Sequence, residues 1–286
     1  MRDFTISRYI ALLQILQKQN FSFQPFSEFI ENPKEKAVML RHDVDLLPYN
    51  SLKTAQIENE LGIRGSYYFR IVPESYNETI IKQIADLGHE IGYHYETMDT
   101  VSSKFKVQGL KFKEEHNLID AAYEEFCRNL EMFREIVSVE TICMHGSPRS
   151  KYDNKMIWDK YDYKTLGIIG EPYFDIDFSK VGYLTDTGRR WNGDKVSIRD
   201  KVNSPFNFNF RSTQDIINSV GKLPDQVMFT FHPQRWNDNW YPWIKELALQ
   251  NIKNQVKRLI VIASPTKEDA AIPSCKGLLR YTRNDG

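Results

Sequence analysis

The chain has 286 residues, a length that fits either one large α/β barrel or two smaller domains. With 41% hydrophobic and 27% charged residues it has a globular composition, which excludes a disordered or fibrous protein. Its 38 Lys plus Arg balance 38 Asp plus Glu, so no overall field steers it to nucleic acid or an anionic membrane.

The N-terminal MRDFTISRYIALLQILQ interrupts its apolar positions with Arg8 and Gln14, Lys18 follows, and there is no small-residue cleavage site. It predicts an amphipathic helix, capped by Thr5 or Ser7, with Ile10, Leu13 and Leu16 on one face. No apolar run reaches the ~20 residues of a membrane span. Cys127, Cys143 and Cys275 form no C-x-x-C pair and are expected as buried thiols, not as a zinc knuckle or disulfide framework. These features predict a cytoplasmic protein.

After a polar stretch at Asn32 to Lys36, the apolar run Ala37-Val-Met-Leu40 leads into Arg41-His-Asp-Val-Asp45 and Pro48, the pattern of a buried strand ending in polar chemistry. The pattern then repeats. A helix from Ser51 to Leu61 closes at Gly62, and a strand runs from Gly65 to Arg70. A helix from Glu78 to Leu87 closes at Gly88, and a strand runs from Glu90 to His94. A charged helical region from Lys111 to Ile136 precedes a strand from Glu140 to His145. Less regular strands at Leu166 to Ile169 and Val181 to Thr185, a helix from Asp215 to Val220 and a strand from Val227 to His232 follow. Strands alternating with helices predict parallel pairing, and about seven of them favour a barrel over an open sheet. The expected organisation is an N-terminal helical extension packed on the barrel over 1–36, a β/α barrel over 37–263 and a C-terminal extension over 264–286.

Asp43, Asp45, His94, His145, Asp186 and His232 all fall at the carboxyl ends of predicted strands, which in a β/α barrel converge on one face. Two carboxylates directly after an apolar run need a metal, a cation or a proton to compensate them. One could then hold a metal and the other act as general base; the alternatives are a helix cap or an ion pair with Arg41. His89 and His94 lie five residues apart, roughly 17 Å along a strand and on opposite faces, so only one can be a ligand. His94 ends its strand and is the better candidate; His89 is expected to be structural.

Leu-Arg-His-Asp-Val-Asp, Gly-His-Glu-Ile-Gly-Tyr-His and Phe-Thr-Phe-His occur in the order found in polysaccharide deacetylases, and from about Met39 to His232 the chain resembles that family of carbohydrate N-deacetylases. The resemblance implies an α/β fold, a distorted (β/α)7 barrel, with Asp43 as catalytic base, Asp45 and His94 as metal ligands and His232 as general acid. Two departures matter. Val44 separates aspartates that the family has adjacent, so Asp43 and Asp45 can exchange roles. Met98 stands where the family has a second histidine, so His145 or Glu96 must supply the third ligand, with His145 preferred. Such a set suits a divalent metal, zinc first.

Thr185-Asp-Thr-Gly-Arg-Arg-Trp-Asn-Gly193 offers Asp186, Arg190 and Trp191 for a hydroxyl-rich, anionic ligand, with Glu96 as a further substrate contact; the alternative is a solvated loop with an Asp186–Arg190 ion pair. Trp236, Trp240 and Trp243 share one helical face and are expected to pack rather than form a sugar platform. The expected activity is metal-dependent removal of an N-acyl group, acetyl foremost, from an amino sugar, nucleotide sugar or glycan precursor, with a role in surface polysaccharide biosynthesis. A catalytically inactive carbohydrate-binding barrel and a hydrolase of other bonds are the alternatives. The sequence sets no oligomeric state.

Overall fold

Ala37–Val44 forms β2, and all eight of its residues are buried, as expected of a central strand covered on both faces. The computed structural model describes residues 2–107, 115–146, 150–191 and 202–263. The other strands are β1 (Ser22–Phe23), β3 (Ser66–Phe69), β4 (Glu90–Tyr95), β5 (Ile142–Met144), β6 (Gly182–Thr185) and β7 (Gln226–Phe231). They pair in parallel in the order β5-β4-β3-β2-β7-β6, with β1 alongside the start of β2. The helices are α1 (Ile6–Lys18), α2 (Phe26–Glu31), α3 (Pro48–Glu60), α4 (Glu78–Asp86), α5 (Thr97–Val107), α6 (Glu115–Arg134), α7 (Pro172–Asp175), α8 (Thr213–Ser219) and α9 (Trp240–Ala263).

The result is a curled, half-barrel parallel sheet whose two edges are β5 and β6. Side chains alternate along each strand. Ala37 and Met39 of β2 therefore join Tyr68, Cys143 and Met228 in an inner core, which Phe26 and Phe29 of α2 and Ile176, Phe178 and Val181 complete. Val38 and Leu40 face the opposite side, in an outer core with Phe229, Phe231 and the α1 residues Tyr9, Leu12, Leu13 and Leu16. Thr5 caps α1 by accepting from Arg8 N. The first 36 residues thus supply a strand and inner-core side chains as well as a packed helix.

One predicted strand does not form. Around Leu166 to Ile169 the chain makes a 3-10 turn, and Gly167 adopts a left-handed φ of 71° that ends any extended run. Only an isolated bridge, Thr141 to Gly170, lies against this stretch, beside β5. Of the charged helical region expected over Lys111 to Ile136, α6 covers Glu115–Arg134, α5 precedes that region as a separate helix, and the expected 264–286 extension lies outside the described residues. Gly92 in β4 has a steric role, because a Cβ there would sit 2.3 Å from the Tyr68 ring that fills the inner core. No described helix is long and apolar enough to cross a membrane.

Candidate metal centre

Along β2 the inward parity runs through Arg41, Asp43 and, just past the strand, Asp45. Val44 between the aspartates turns outward into core, so separating them by one residue keeps both carboxylates on the same face. Arg41 is buried, and its guanidinium forks onto Asp43, Nε to Oδ1 at 2.8 Å and Nη2 to Oδ2 at 2.7 Å. Burial alone would push the Asp43 carboxyl up, but Arg41 and then His94 hold it below the ordinary carboxylate range. The Arg41 ion pair considered as an alternative for this motif therefore forms within the cluster itself. His42 faces the other way, with Nε2 2.7 Å from Glu58 Oε1 and its ring stacked on Tyr67.

His94 comes from β4, and its Nδ1 lies 2.9 Å from the Cys143 carbonyl, to which only a protonated Nδ1 can donate. This fixes the tautomer and leaves the Nε2 lone pair facing Asp45 Oδ1 at 3.8 Å and Asp43 Oδ2 at 3.9 Å. Burial lowers His94 to about 4, more than the two aspartates raise it, so the imidazole is neutral at pH 7. His145 follows β5 and places Nε2 3.6 Å from Asp45 Oδ1 and Nδ1 3.1 Å from Glu96 Oε2. Burial opposes charge on His145, but Glu96 and Asp45 prevail and raise its pKa.

Asp45, His94 and His145 can each aim one ligand atom into a common space, all within 4.8 Å of one another. Separations of 3.6–3.8 Å from Asp45 are too long for hydrogen bonds but leave room for an ion about 2.0–2.2 Å from each atom. Asp45 Oδ1 is buried and has no hydrogen-bond partner. An orphaned carboxylate oxygen beside two imidazole nitrogens fits a divalent metal, and the donor types suit zinc. Asp43, His94 and Cys143 also cluster, but the Arg41 guanidinium already compensates the Asp43 charge, whereas Asp45 has an oxygen without any partner.

His232, just past β7, brings Nε2 to 3.8 Å from Asp45 Oδ2 on the other side of the cluster. Its Nδ1 lies 2.6 Å from Asp186 Oδ1, and its backbone N–H donates to Asp186 Oδ2 at 3.0 Å. Arg235 Nη1 and Trp236 Nε1 also donate to Asp186, each at 2.7 Å. Burial raises the Asp186 carboxyl, but Arg235 and His232 outweigh it, so the net shift is downward and it stays ionised.

Three expected substrate contacts lie elsewhere than expected. Asp186 is fully buried behind His232 and pairs with the buried Arg235, while Arg190 is exposed, so the Asp186–Arg190 pair considered as the alternative is replaced by one with Arg235. Trp191 is 4% exposed, packed against Phe4, Phe231 and Trp236, and donates to Thr213, which makes it core. Glu96 is buried with both oxygens on Arg70, at 2.9 and 2.7 Å, behind His145 and not open to a ligand. Met98 is fully buried in a separate core cluster with Val44, Tyr93, Tyr95 and Phe126, which accounts for an apolar residue at that position. His89 accepts from Gly65 N and its Nε2 lies 2.9 Å from the Ala55 carbonyl, away from the cluster. Arg70 and Arg235 were not singled out from the sequence; their one signal is position, Arg70 directly after β3 and Arg235 in the 3-10 turn Pro233–Arg235 that follows β7.

No family model matches the sequence, and no curated protein matches it. Among solved structures, PdaA of Bacillus subtilis, a family 4 carbohydrate esterase, is similar at 15% identity and a TM-score of 0.42, over 85% of this chain and 83% of that one. A peptidoglycan N-acetylglucosamine deacetylase is similar at 14% identity and a TM-score of 0.37, over 82% and 92%. A CE4 family pseudoenzyme from Bacillus anthracis is similar at 13% identity and a TM-score of 0.40, over 79% of this chain but 63% of its own length.

Proposed function

We propose that the protein is a metal-dependent amide hydrolase that removes an N-acyl group, acetyl foremost, from an amino sugar or a glycan precursor. The observation that carries this reading is the convergence of Asp45, His94 and His145 around one space, with Asp43 and His232 each within 4 Å of that group. Asp45, His94 and His145 would hold the divalent metal, which when bound polarises the acyl carbonyl and lowers the pKa of water.

The remaining work falls to side chains of the chain. Asp43 is ionised and held in one orientation by the Arg41 fork, so its free lone pairs can take the proton of the attacking water. As water adds to the acyl carbon, Asp43 gains that proton. As the C–N bond breaks, the departing nitrogen takes a proton from His232 Nε2, because an amine anion is a very poor leaving group. Asp186, on the far side of the ring at 2.6 Å from Nδ1, orients the imidazole so that Nε2 faces the cluster. The products are a carboxylic acid and a free amine.

A cytoplasmic site of action belongs to the same reading and favours nucleotide-linked or lipid-linked amino sugars over a finished wall polymer. The test is release of acetate from a panel of N-acetylated nucleotide sugars and oligosaccharides by the zinc-loaded protein. Turnover that falls at least ~10²-fold in Asp43→Asn, with the fold kept, supports the reading. Turnover equal in wild type and Asp43→Asn on every substrate overturns it.

A further inference from the structure

His145 directly follows a strand of only three residues, so its backbone needs holding from outside. That is provided. His145 N donates to the Tyr95 carbonyl at 2.8 Å, and Asn154 Nδ2 donates to the His145 carbonyl at 2.7 Å. With the main chain fixed, only the side-chain torsions decide where Nε2 points. The group that meets the ring from behind is Glu96, 3.1 Å from Nδ1.

Glu96 is itself gripped. Arg70, directly after β3, donates Nε to Glu96 Oε1 at 2.9 Å and Nη2 to Oε2 at 2.7 Å, a two-bond fork that fixes the carboxylate plane. Its third nitrogen, Nη1, donates to the main-chain carbonyl of Asp45 at 3.2 Å. One guanidinium thus braces the residue that carries the orphaned Asp45 Oδ1 and, through Glu96, the imidazole facing it. The chain of contacts crosses four adjacent strand ends, from β2 through β3 and β4 to β5. An ordinary peripheral ion pair would not share its carboxylate with a histidine and its guanidinium with the backbone of a second cluster residue.

We propose that Arg70 and Glu96 are positioning residues for the metal centre: the Arg70–Glu96 clamp keeps the His145 proton on Nδ1 and its lone pair on Nε2, aimed at the space beside Asp45. Glu96 then acts through His145 and is not a ligand, since both its oxygens are engaged. A carboxylate behind a metal-binding histidine fixes tautomer and ring orientation, and loss of such a partner costs about 10- to 100-fold in metal affinity. The proposal rests on the reading of Asp45, His94 and His145 as ligands.

The experiment is zinc affinity by chelator competition, with the visible spectrum of the cobalt-substituted protein as a second readout. It compares wild type, Glu96→Gln, His145→Ala and the double variant. Zinc affinity should fall about 10- to 100-fold in Glu96→Gln with a changed cobalt spectrum, and Glu96→Gln should add no further loss in the His145→Ala background. Arg70→Lys keeps the charge and loses the fork; it should weaken zinc in the same direction and carries the test if Glu96→Gln does not fold. Wild-type affinity and spectrum in these variants would overturn the clamp while leaving the metal centre standing. An equal loss from Glu96→Gln with and without His145 would make Glu96 a ligand and overturn the clamp as well. Wild-type protein that binds neither metal would overturn the metal centre, and the clamp with it.

Discussion

At the scale of single residues, the arrangement turns on which side chains hold others in place. Among the described residues Asp186 meets the cluster through His232, so Asp186→Asn should leave substrate affinity intact while lowering kcat about 10²- to 10⁴-fold. Steady-state kinetics with circular dichroism as a folding control checks this; an equal fall in a variant that has lost its fold would not count as support. Asp43, Asp45, His94, His145 and His232 could be picked out from the sequence because each is polar chemistry at the end of an apolar run. The partners were harder to see. Arg70 and Arg235 look like solvated cations until the pairing of distant strands sets carboxylates beside them. Trp191 was misread for the complementary reason: it sits in a Gly- and Arg-rich stretch, but its indole completes an aromatic core built from Phe4, Phe231 and Trp236.

At the scale of elements, the strand β4 carries the tightest constraint. Gly92 gives its space to the Tyr68 ring of β3, and the next inward position is His94. Gly92→Ala should therefore lower stability by about 1–3 kcal/mol, as overpacking does, seen as a lower urea midpoint with unchanged slope. A midpoint equal to wild type would mean that Tyr68 can move aside at no cost. The βα alternation was legible wherever apolar runs met glycine stops, as at Gly62 and Gly88, both of which adopt positive φ. It failed at Leu166 to Ile169, where a short apolar run passes for a strand but Gly167 turns the backbone left-handed. Nor did the sequence show that α2 would fill the barrel interior, because Phe26 and Phe29 have the spacing of any amphipathic helix.

At the scale of the molecule, a curled parallel sheet brings residues nearly two hundred positions apart to one mouth, from Asp43 on β2 to His232 after β7. That convergence could be anticipated from strand ends alone; the third ligand could be narrowed only to His145 or Glu96, with His145 preferred, because the two occupy neighbouring strand ends and packing decides which lies in front. In the proposed function this mouth holds one divalent metal on Asp45, His94 and His145. Elemental analysis of protein purified without chelators, beside His94→Ala and His145→Ala, tests it most directly. Close to one equivalent of zinc or another divalent metal is expected in the wild type, and its loss in both variants. Folded wild-type protein that stays empty after metal is added back, or variants that keep a full equivalent, would contradict it.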